Sequence, residues 1–423
     1  MSEAGTGRGP ETVRIASLAA GGDGVGRLAD GMAVFVPRTA PGDLVALGNV
    51  RRRRRHANAG AAAVLAPGPG RVEPPCAHFA RDGCGGCQWQ HLSADAQREA
   101  KGRIVGDALR RLGGLEVTDP EVAASPRQLA YRATITLTVR WTAAGPAAGF
   151  HDFRDPGRVI PLERCAIARE EVSALWEAVR PALASLPRGD DVRLKLRVAP
   201  GGGLHVVVSG GDGSWTGAEA VREAAAARGL AATVWWEPAA GAARRMAGPT
   251  ADGGAVAFEQ VNPEVAGALR AAVLEAVPAA GAGDRALDLY AGAGDVGLAL
   301  ASRGWDVASV EVNEAAVARA AERARREGLR VRAVAGRVEE RLAGLLPARV
   351  VVANPPRAGL EEGAAAALAG RLPERLIYVS CDPATLARDL RRLGIPAGRV
   401  ALRCFDMFPQ TSHVETLVVV DGG

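Results

Sequence analysis

Two side chains near the C-terminus have the types required of a nucleophile and a base. Cys381 sits in Val379-Ser380-Cys381-Asp382-Pro383, after the apolar run Leu376-Ile377-Tyr378-Val379, which reads as a buried strand. Asp382 and Pro383 read as the N-cap and first residue of a helix continuing through Leu386, Leu390 and Leu393. The thiol therefore falls where a strand hands over to a helix, and a helix N-terminus favours the thiolate. A single Cys is otherwise most often a small core residue. Glu415 ends Phe408-Pro409-Gln410-Thr411-Ser412-His413-Val414-Glu415 and adjoins the apolar strand Leu417 to Val420. A carboxylate there has a raised pKa suited to general-base work, or it simply reaches solvent from a strand end.

A second group of chemically competent residues is Cys76-x7-Cys84-Gly85-Gly86-Cys87, with Cys165 after the strand-like Val159-Ile160-Pro161-Leu162. Four thiols can close a sulfur site for zinc or an iron–sulfur cluster. His78 is an alternative ligand. The paired glycines favour a tight loop whose backbone N–H groups face sulfur.

A third is Leu287-Asp288-Leu289-Tyr290-Ala291-Gly292-Ala293-Gly294-Asp295-Val296-Gly297. With 53 glycines in 423 residues, the G-x-G-x-x-G spacing alone carries little. Its context carries more: it follows a buried strand, opens a helix, and Glu311 ends the next strand about 20 residues on, where a carboxylate can take both ribose hydroxyls. Dinucleotide dehydrogenases and S-adenosylmethionine enzymes share this logic. Asn354-Pro355-Pro356-Arg357 follows the strand Val350-Val351-Val352 and holds an Asn and an Arg beside the same pocket. A dehydrogenase has no need of it, and N-P-P loops occur in amine methyltransferases.

These groups need a scaffold of two or three domains, which 423 residues supply. Hydrophobic content of 48% builds real cores, and a net charge of +5 permits a nucleic-acid partner without demanding one. The chain has no apolar export segment and no uncharged run of membrane-spanning length, which predicts a cytoplasmic protein with reduced thiols and no membrane partner. Residues 11 to 66 read as short strands separated by Gly turns, a small OB-like barrel, with the run Arg51 to Arg55 on its surface. Residues 67–75 read as a linker, and Ser93 to Leu112 as an amphipathic helix. Strands over 131–141, 192–198 and 204–208, with helices over 169–185 and 217–228, make a central α+β domain. From about residue 258, strand and helix alternate, which implies a parallel, doubly wound Rossmann-like sheet.

The motifs, in this order, resemble those of the S-adenosylmethionine-dependent RNA uridine C5-methyltransferases of the bacterial 23S ribosomal RNA type. The resemblance runs through nearly the whole chain: a TRAM-like barrel, C…CGGC and Cys165, then FEQVN, DLYAGAG, NPPR, SCDP and FPQTSHVE. The last two motifs together are specific. The resemblance implies three domains: a TRAM-like RNA-binding barrel over 8–67, a central domain over 68–255 and a catalytic domain over 256–423. It implies a [4Fe–4S] cluster on Cys76, Cys84, Cys87 and Cys165. It also implies S-adenosylmethionine on Gln260, Tyr290, Asp295, Glu311 and Asn354, with Cys381 as nucleophile and Glu415 as base. Its implied partner is RNA, ribosomal rather than transfer RNA, with no obligate protein partner. The chain departs from the family in a longer first Cys gap, in Asn354 where many members have Asp, and in Arg337 near a position that is often acidic.

The implied chemistry suits the residue types. Attack of the Cys381 thiolate on uracil C6 makes an enolate whose C5 accepts a methyl group. Charge on O4 needs a donor, Gln410 or Arg357, and Glu415 removes the C5 proton. The target base is flipped out, and the barrel with its Arg run grips the backbone. The rival readings are a nicotinamide oxidoreductase, a non-catalytic RNA-binding protein and an N-methyltransferase. Each leaves the Cys381/Glu415 pair unexplained.

Overall fold

The computed structural model describes residues 11–211, 214–239, 241–250 and 259–422, arranged around three sheets. The expected start of the alternating region, with Phe258 of the FEQVN motif, lies outside the described residues. Among the described residues, no helix is long and apolar enough to cross a membrane.

The first sheet has six strands in the order Thr12–Arg14, Leu44–Arg52, Ala57–Ala66, Ala33–Val36, Gly24–Arg27 and Ser17–Leu18. Alternating residues (Val34, Val36, Val45, Leu47) point inward and form its core. Leu44–Arg52 and Ala57–Ala66 form a long, bulged hairpin, so the expected Arg run falls at its exposed tip.

The second sheet has seven strands: Val159–Pro161, Gly145–His151, Thr134–Thr142, Arg193–Val198, Leu204–Ser209, Ala232–Glu237 and Arg244–Ala247. The Glu170–Val179 and Ala218–Ala226 helices pack through Trp176 and Val221 against Leu137, Leu194, Val206 and Trp236. Gly145–His151 is poor in β-branched residues, and it is held as a strand by pairing on both sides.

The third sheet carries the site. Its order is Val331–Ala335, Asp306–Glu311, Arg285–Leu289, Val350–Ala353, Arg375–Ser380, Glu415–Asp421, Val400–Phe405 and Val122–Ala123. The first five strands are parallel, as the alternation predicts. The expected all-parallel arrangement fails at Glu415–Asp421, which runs antiparallel to both neighbours. The reason is the preceding strand, Val400–Phe405: the short 406–414 connection can turn a hairpin but cannot make a parallel crossover. Val122–Ala123 extends this sheet from far upstream, and Val105, Leu109 and Leu115 pack into the same core as Tyr378, Leu390 and Val418. The Ala94–Ala108 helix thus builds on the third sheet, although the second sheet separates them in sequence.

Asp389 fastens this region together. Its fully buried carboxylate accepts from Leu360 N–H and from the Tyr378 hydroxyl, both at 2.8 Å, and pairs with Arg388. Asp389→Ala strands those buried donors and is expected to destabilise the protein by about 3 kcal/mol. The urea midpoint, measured against wild type, checks this; an unchanged midpoint would contradict it.

Candidate active site

The register of the third sheet brings the two reactive side chains together. Arg375 pairs with Asp421 and Ser380 with Thr416, so one further step sets Cys381 opposite Glu415. Directly opposed residues of an antiparallel pair have Cβ atoms about 5 Å apart. Glu415 is 1% exposed, and its Oε2 has no hydrogen-bond partner among the described residues. Burial raises its pKa to about 7, and the nearby Arg357 guanidinium opposes the rise. The carboxyl group is therefore poised to exchange a proton near neutrality.

Cys381 departs from expectation. Its pKa is raised: burial dominates, the Glu415 carboxylate adds to it, and Arg357 works against both. The helix N-terminus does not supply the expected relief, because the Asp382 carboxylate takes Thr385 N–H as its cap. Arg357 is placed by the helix that follows Cys381. Thr385 Oγ1 donates to the Arg357 carbonyl at 3.0 Å, and Arg388 donates to that of Ala358 at 2.6 Å. His413, at the edge of the Phe408 ring, is kept neutral: burial and the charge of Arg357 lower its pKa to about 4.

Gln410 is not the free O4 donor that its position in the motif suggested. Its amide donates to the Gln128 carbonyl and accepts from Gln97, so both ends are engaged in holding the loop. Arg357, which makes no hydrogen bond or ion pair through its guanidinium among the described residues, stays open for that role. Gln97 and Lys101, both buried contacts to this loop, were not singled out from the sequence. They lie some 300 residues away from it, and no local pattern marks them.

Three of the expected cofactor residues, Tyr290, Glu311 and Asn354, gather at the carboxyl ends of the parallel strands. Tyr290 follows Leu289 in a left-handed conformation (φ 60°), and its buried hydroxyl is unpartnered among the described residues. Glu311 ends its strand and accepts from Gly292 N–H at 2.9 Å and from Asn313 N–H at 2.8 Å, so it braces the glycine loop. Asn354 follows Ala353 and is exposed. Asp295 opens the Asp295–Ser302 helix and is ion-paired with Arg323 at 2.5 Å and Arg270 at 3.7 Å. Gln260 lies outside the sheet, in the segment leading to the Pro263–Ala276 helix. Arg337 pairs with Glu339. Only a glycine fits at 297: a Cβ there would lie 2.3 Å from Ser309 Oγ and 3.1 Å from Asp288 Oδ2, which accepts the Gly297 N–H.

Cys76, Cys84, Cys87 and Cys165 all line one cavity of about 160 Å³ beside the second sheet. Burial raises the pKa of Cys84 to about 11 and that of Cys87 to about 12, and raises that of Cys165. The Gly86 N–H faces the Cys84 sulfur, as the paired glycines suggested. His78 also lines the cavity, but both its ring nitrogens are engaged: Nδ1 with Asp82, and Nε2 accepting from Glu163 N–H. It is not free to act as the alternative ligand. Among the described residues, no group of three or more His, Cys, Asp or Glu side chains could hold a single metal ion.

Comparison with known proteins decides the family. Residues 253–422 match the profile described as tRNA (Uracil-5-)-methyltransferase. The chain is 35% identical to a 23S rRNA (uracil(1939)-C(5))-methyltransferase of Chromohalobacter salexigens, covering 96% of this chain and 88% of the relative. A protein of Gloeobacter violaceus described as an uncharacterized RNA methyltransferase is 33% identical, with 97% and 96% covered. The chain belongs to the S-adenosylmethionine-dependent RNA uridine C5-methyltransferases. Among solved structures, the Pyrococcus abyssi tRNA (uracil-54, C5)-methyltransferase in complex with S-adenosyl-L-homocysteine shares the fold. Its TM-score is 0.74 at 24% identity, covering 96% of this chain and 99% of that one.

Gly297 holds the glycine loop close to Asp288 and Ser309 on the neighbouring strands. Gly297→Val drives a branched side chain into Ser309 and Asp288 and pushes the loop outward. Its affinity for S-adenosylmethionine, read by calorimetry, is expected to fall at least about tenfold. Wild-type affinity would show that the close approach is dispensable.

Proposed function

We propose that this methyltransferase works through a covalent adduct between Cys381 and C6 of the target uridine, with Glu415 as the base. The observation that carries the reading is the register that sets Cys381 opposite a buried Glu415 whose Oε2 has no partner among the described residues. The Cys381 sulfur bonds to C6 and the C5–C6 π pair moves toward O4, where Arg357 meets the charge. S-adenosylmethionine supplies the methyl group, which the C5 carbanion takes as the methyl–sulfur bond breaks. The Glu415 carboxylate then removes the C5 proton, the C5–C6 double bond re-forms, and the C6–sulfur bond breaks to return Cys381 as a thiolate. The raised pKa of the resting thiol keeps it protonated until a substrate arrives, and Arg357 favours its ionisation.

Gln260, Tyr290, Asp295, Glu311 and Asn354 would hold S-adenosylmethionine. Support for this comes from the carboxyl-edge positions of Tyr290, Glu311 and Asn354 and from the loop that Asp295 opens. The substrate is 23S ribosomal RNA, favoured over transfer RNA because several relatives covering nearly the whole chain bear that activity in their names. Of the three expected domains (8–67, 68–255 and 256–423), the described residues from 11 to 67 would form a TRAM-like barrel whose hairpin tip, Arg51 to Arg55, grips RNA phosphates, and those from 259 to 422 the catalytic domain, on which 94–123 of the central domain pack.

Cys76, Cys84, Cys87 and Cys165 would hold a [4Fe–4S] cluster. The residues fit it chemically: four soft thiols line one cavity, and Arg38 and Arg132 lie close enough to Cys87 to act on its charge. The cluster would supply a cross-link, with redox activity available to it. Anaerobically purified protein is expected to contain iron and inorganic sulfide, and Cys87→Ser to lose both. Protein carrying zinc or no metal would remove the cluster from the reading.

The mechanism is tested by tritium release from RNA carrying 5-tritiated uridine. Release is expected to require S-adenosylmethionine, to vanish in Cys381→Ala, and to be faster from ribosomal than from transfer RNA. Because folding raises the Glu415 pKa to about 7, the base is protonated and inactive below that pH. Release chased from the preformed adduct, in which the Cys381 sulfur is already bonded to C6, should therefore rise about tenfold per pH unit below pH 7 and level off above it. A flat profile between pH 5.5 and 8 would exclude Glu415 as the base, and release by Cys381→Ala would exclude the adduct.

A further inference from the structure

The loop from Asp406 to Val414 delivers Glu415, and residues from outside the methyltransferase motifs hold it. Gln97 and Lys101 stand one turn apart on the Ala94–Ala108 helix, facing the same way and fully buried. Gln97 Oε1 accepts the Gln410 N–H at 2.8 Å, and its Nε2 donates to Gln410 Oε1 at 3.1 Å. Lys101 Nζ donates to Asp406 Oδ1 at 2.5 Å and to the Phe408 carbonyl at 3.0 Å. Gln410 adopts φ 69°, a left-handed conformation that a residue with a side chain keeps only when its surroundings impose it. From there the contacts run on toward the site. Thr411 Oγ1 donates to the Phe408 carbonyl and accepts the His413 N–H, two residues before Glu415.

Packing alone does not require this arrangement. A buried ion pair and a buried amide pair contribute less stability than an apolar core of the same shape, but they fix one geometry. Here the geometry fixed is that of a turn five residues from a buried carboxylate whose Oε2 has no partner among the described residues. We propose that Gln97 and Lys101 are positioning residues for Glu415: by clamping Asp406, Phe408 and Gln410, they aim the carboxylate at the C5 proton. This rests on the covalent reading above. It predicts that the last chemical step, and not cofactor binding or thiol attack, depends on the clamp.

Gln97→Met keeps the volume and removes both hydrogen bonds between Gln97 and Gln410. It is expected to lower the melting midpoint, because the buried Gln410 N–H and the Trp89 and Leu92 carbonyls lose their partner, but to keep a folded protein with wild-type S-adenosylmethionine affinity and to lose tritium release by roughly one hundredfold, the effect of a misaim of about 1 Å. The diagnostic readout is an SDS-stable adduct of protein with methylated RNA, which should accumulate both in Gln97→Met and in Glu415→Gln. Wild-type release, or adduct formation lost together with release, would overturn the proposal. If Gln97→Met does not fold, Lys101→Met combined with Asp406→Leu, which removes the pair without stranding a charge, is read by the same criteria. Absence of adduct in Glu415→Gln would overturn the covalent reading itself and the role of the clamp with it. Adduct in Glu415→Gln without adduct in Gln97→Met would overturn the clamp alone.

Discussion

The antiparallel pairing of Glu415–Asp421 with Arg375–Ser380 is the constraint on which the site depends. Chemistry in a wound α/β sheet gathers at the carboxyl ends of the parallel strands, and Tyr290, Glu311, Asn354 and Cys381 all lie there. A base at the first residue of a parallel strand would lie at the opposite edge. Reversing the last strand moves its first residue to the reactive edge and sets Glu415 opposite Cys381. A one-residue slip would turn Glu415 to the other face, so register and chemistry are the same requirement. Apolar residues along both strands hold that register, from Leu376 and Tyr378 to Val418 and Val420.

This constraint also explains the electrostatics. Burial raises the pKa of both Cys381 and Glu415, and the Glu415 carboxylate, which ionises first, raises that of the facing thiol further. Arg357 is the counterweight, and it acts on both without neutralising either through an ion pair. A salt bridge to Glu415 would hold the carboxylate charged but weaken it as a base. A distant cation leaves its proton affinity near neutral pH.

Much of this was legible in the chain. Strand and helix alternation located the five parallel strands, and turn chemistry located the helix after Cys381, because Asp382 and Pro383 signal a start locally. What escaped was not local. Val400–Phe405 mixes charged and apolar residues without a clear period, and without it the direction of Glu415–Asp421 could not be worked out. The thiol pKa was misjudged because the helix N-terminus is visible in sequence whereas the burial and the facing carboxylate are not. Gln410 looked like a substrate donor because its partners, Gln97 and Gln128, lie in another part of the chain.

The same loop ties the three sheets into one machine. Arg38, from the first sheet, stacks on Phe79 and Phe153 and donates to the carbonyls of Phe79 and, at 2.7 Å, Cys84. Directly after the Cys84–Cys87 loop, the Gln88 and Trp89 N–H groups both donate to the Gln410 carbonyl, at 3.1 and 3.0 Å, and the Tyr131 hydroxyl donates to that of Pro409. The strained turn before Glu415 is therefore gripped by the cysteine loop as well as by the Ala94–Ala108 helix. Grip on both sides is what a left-handed, non-glycine residue requires if it is to hold one conformation rather than relax. It also means that neither the first sheet nor the cysteine loop can shift without moving the backbone that aims the carboxylate.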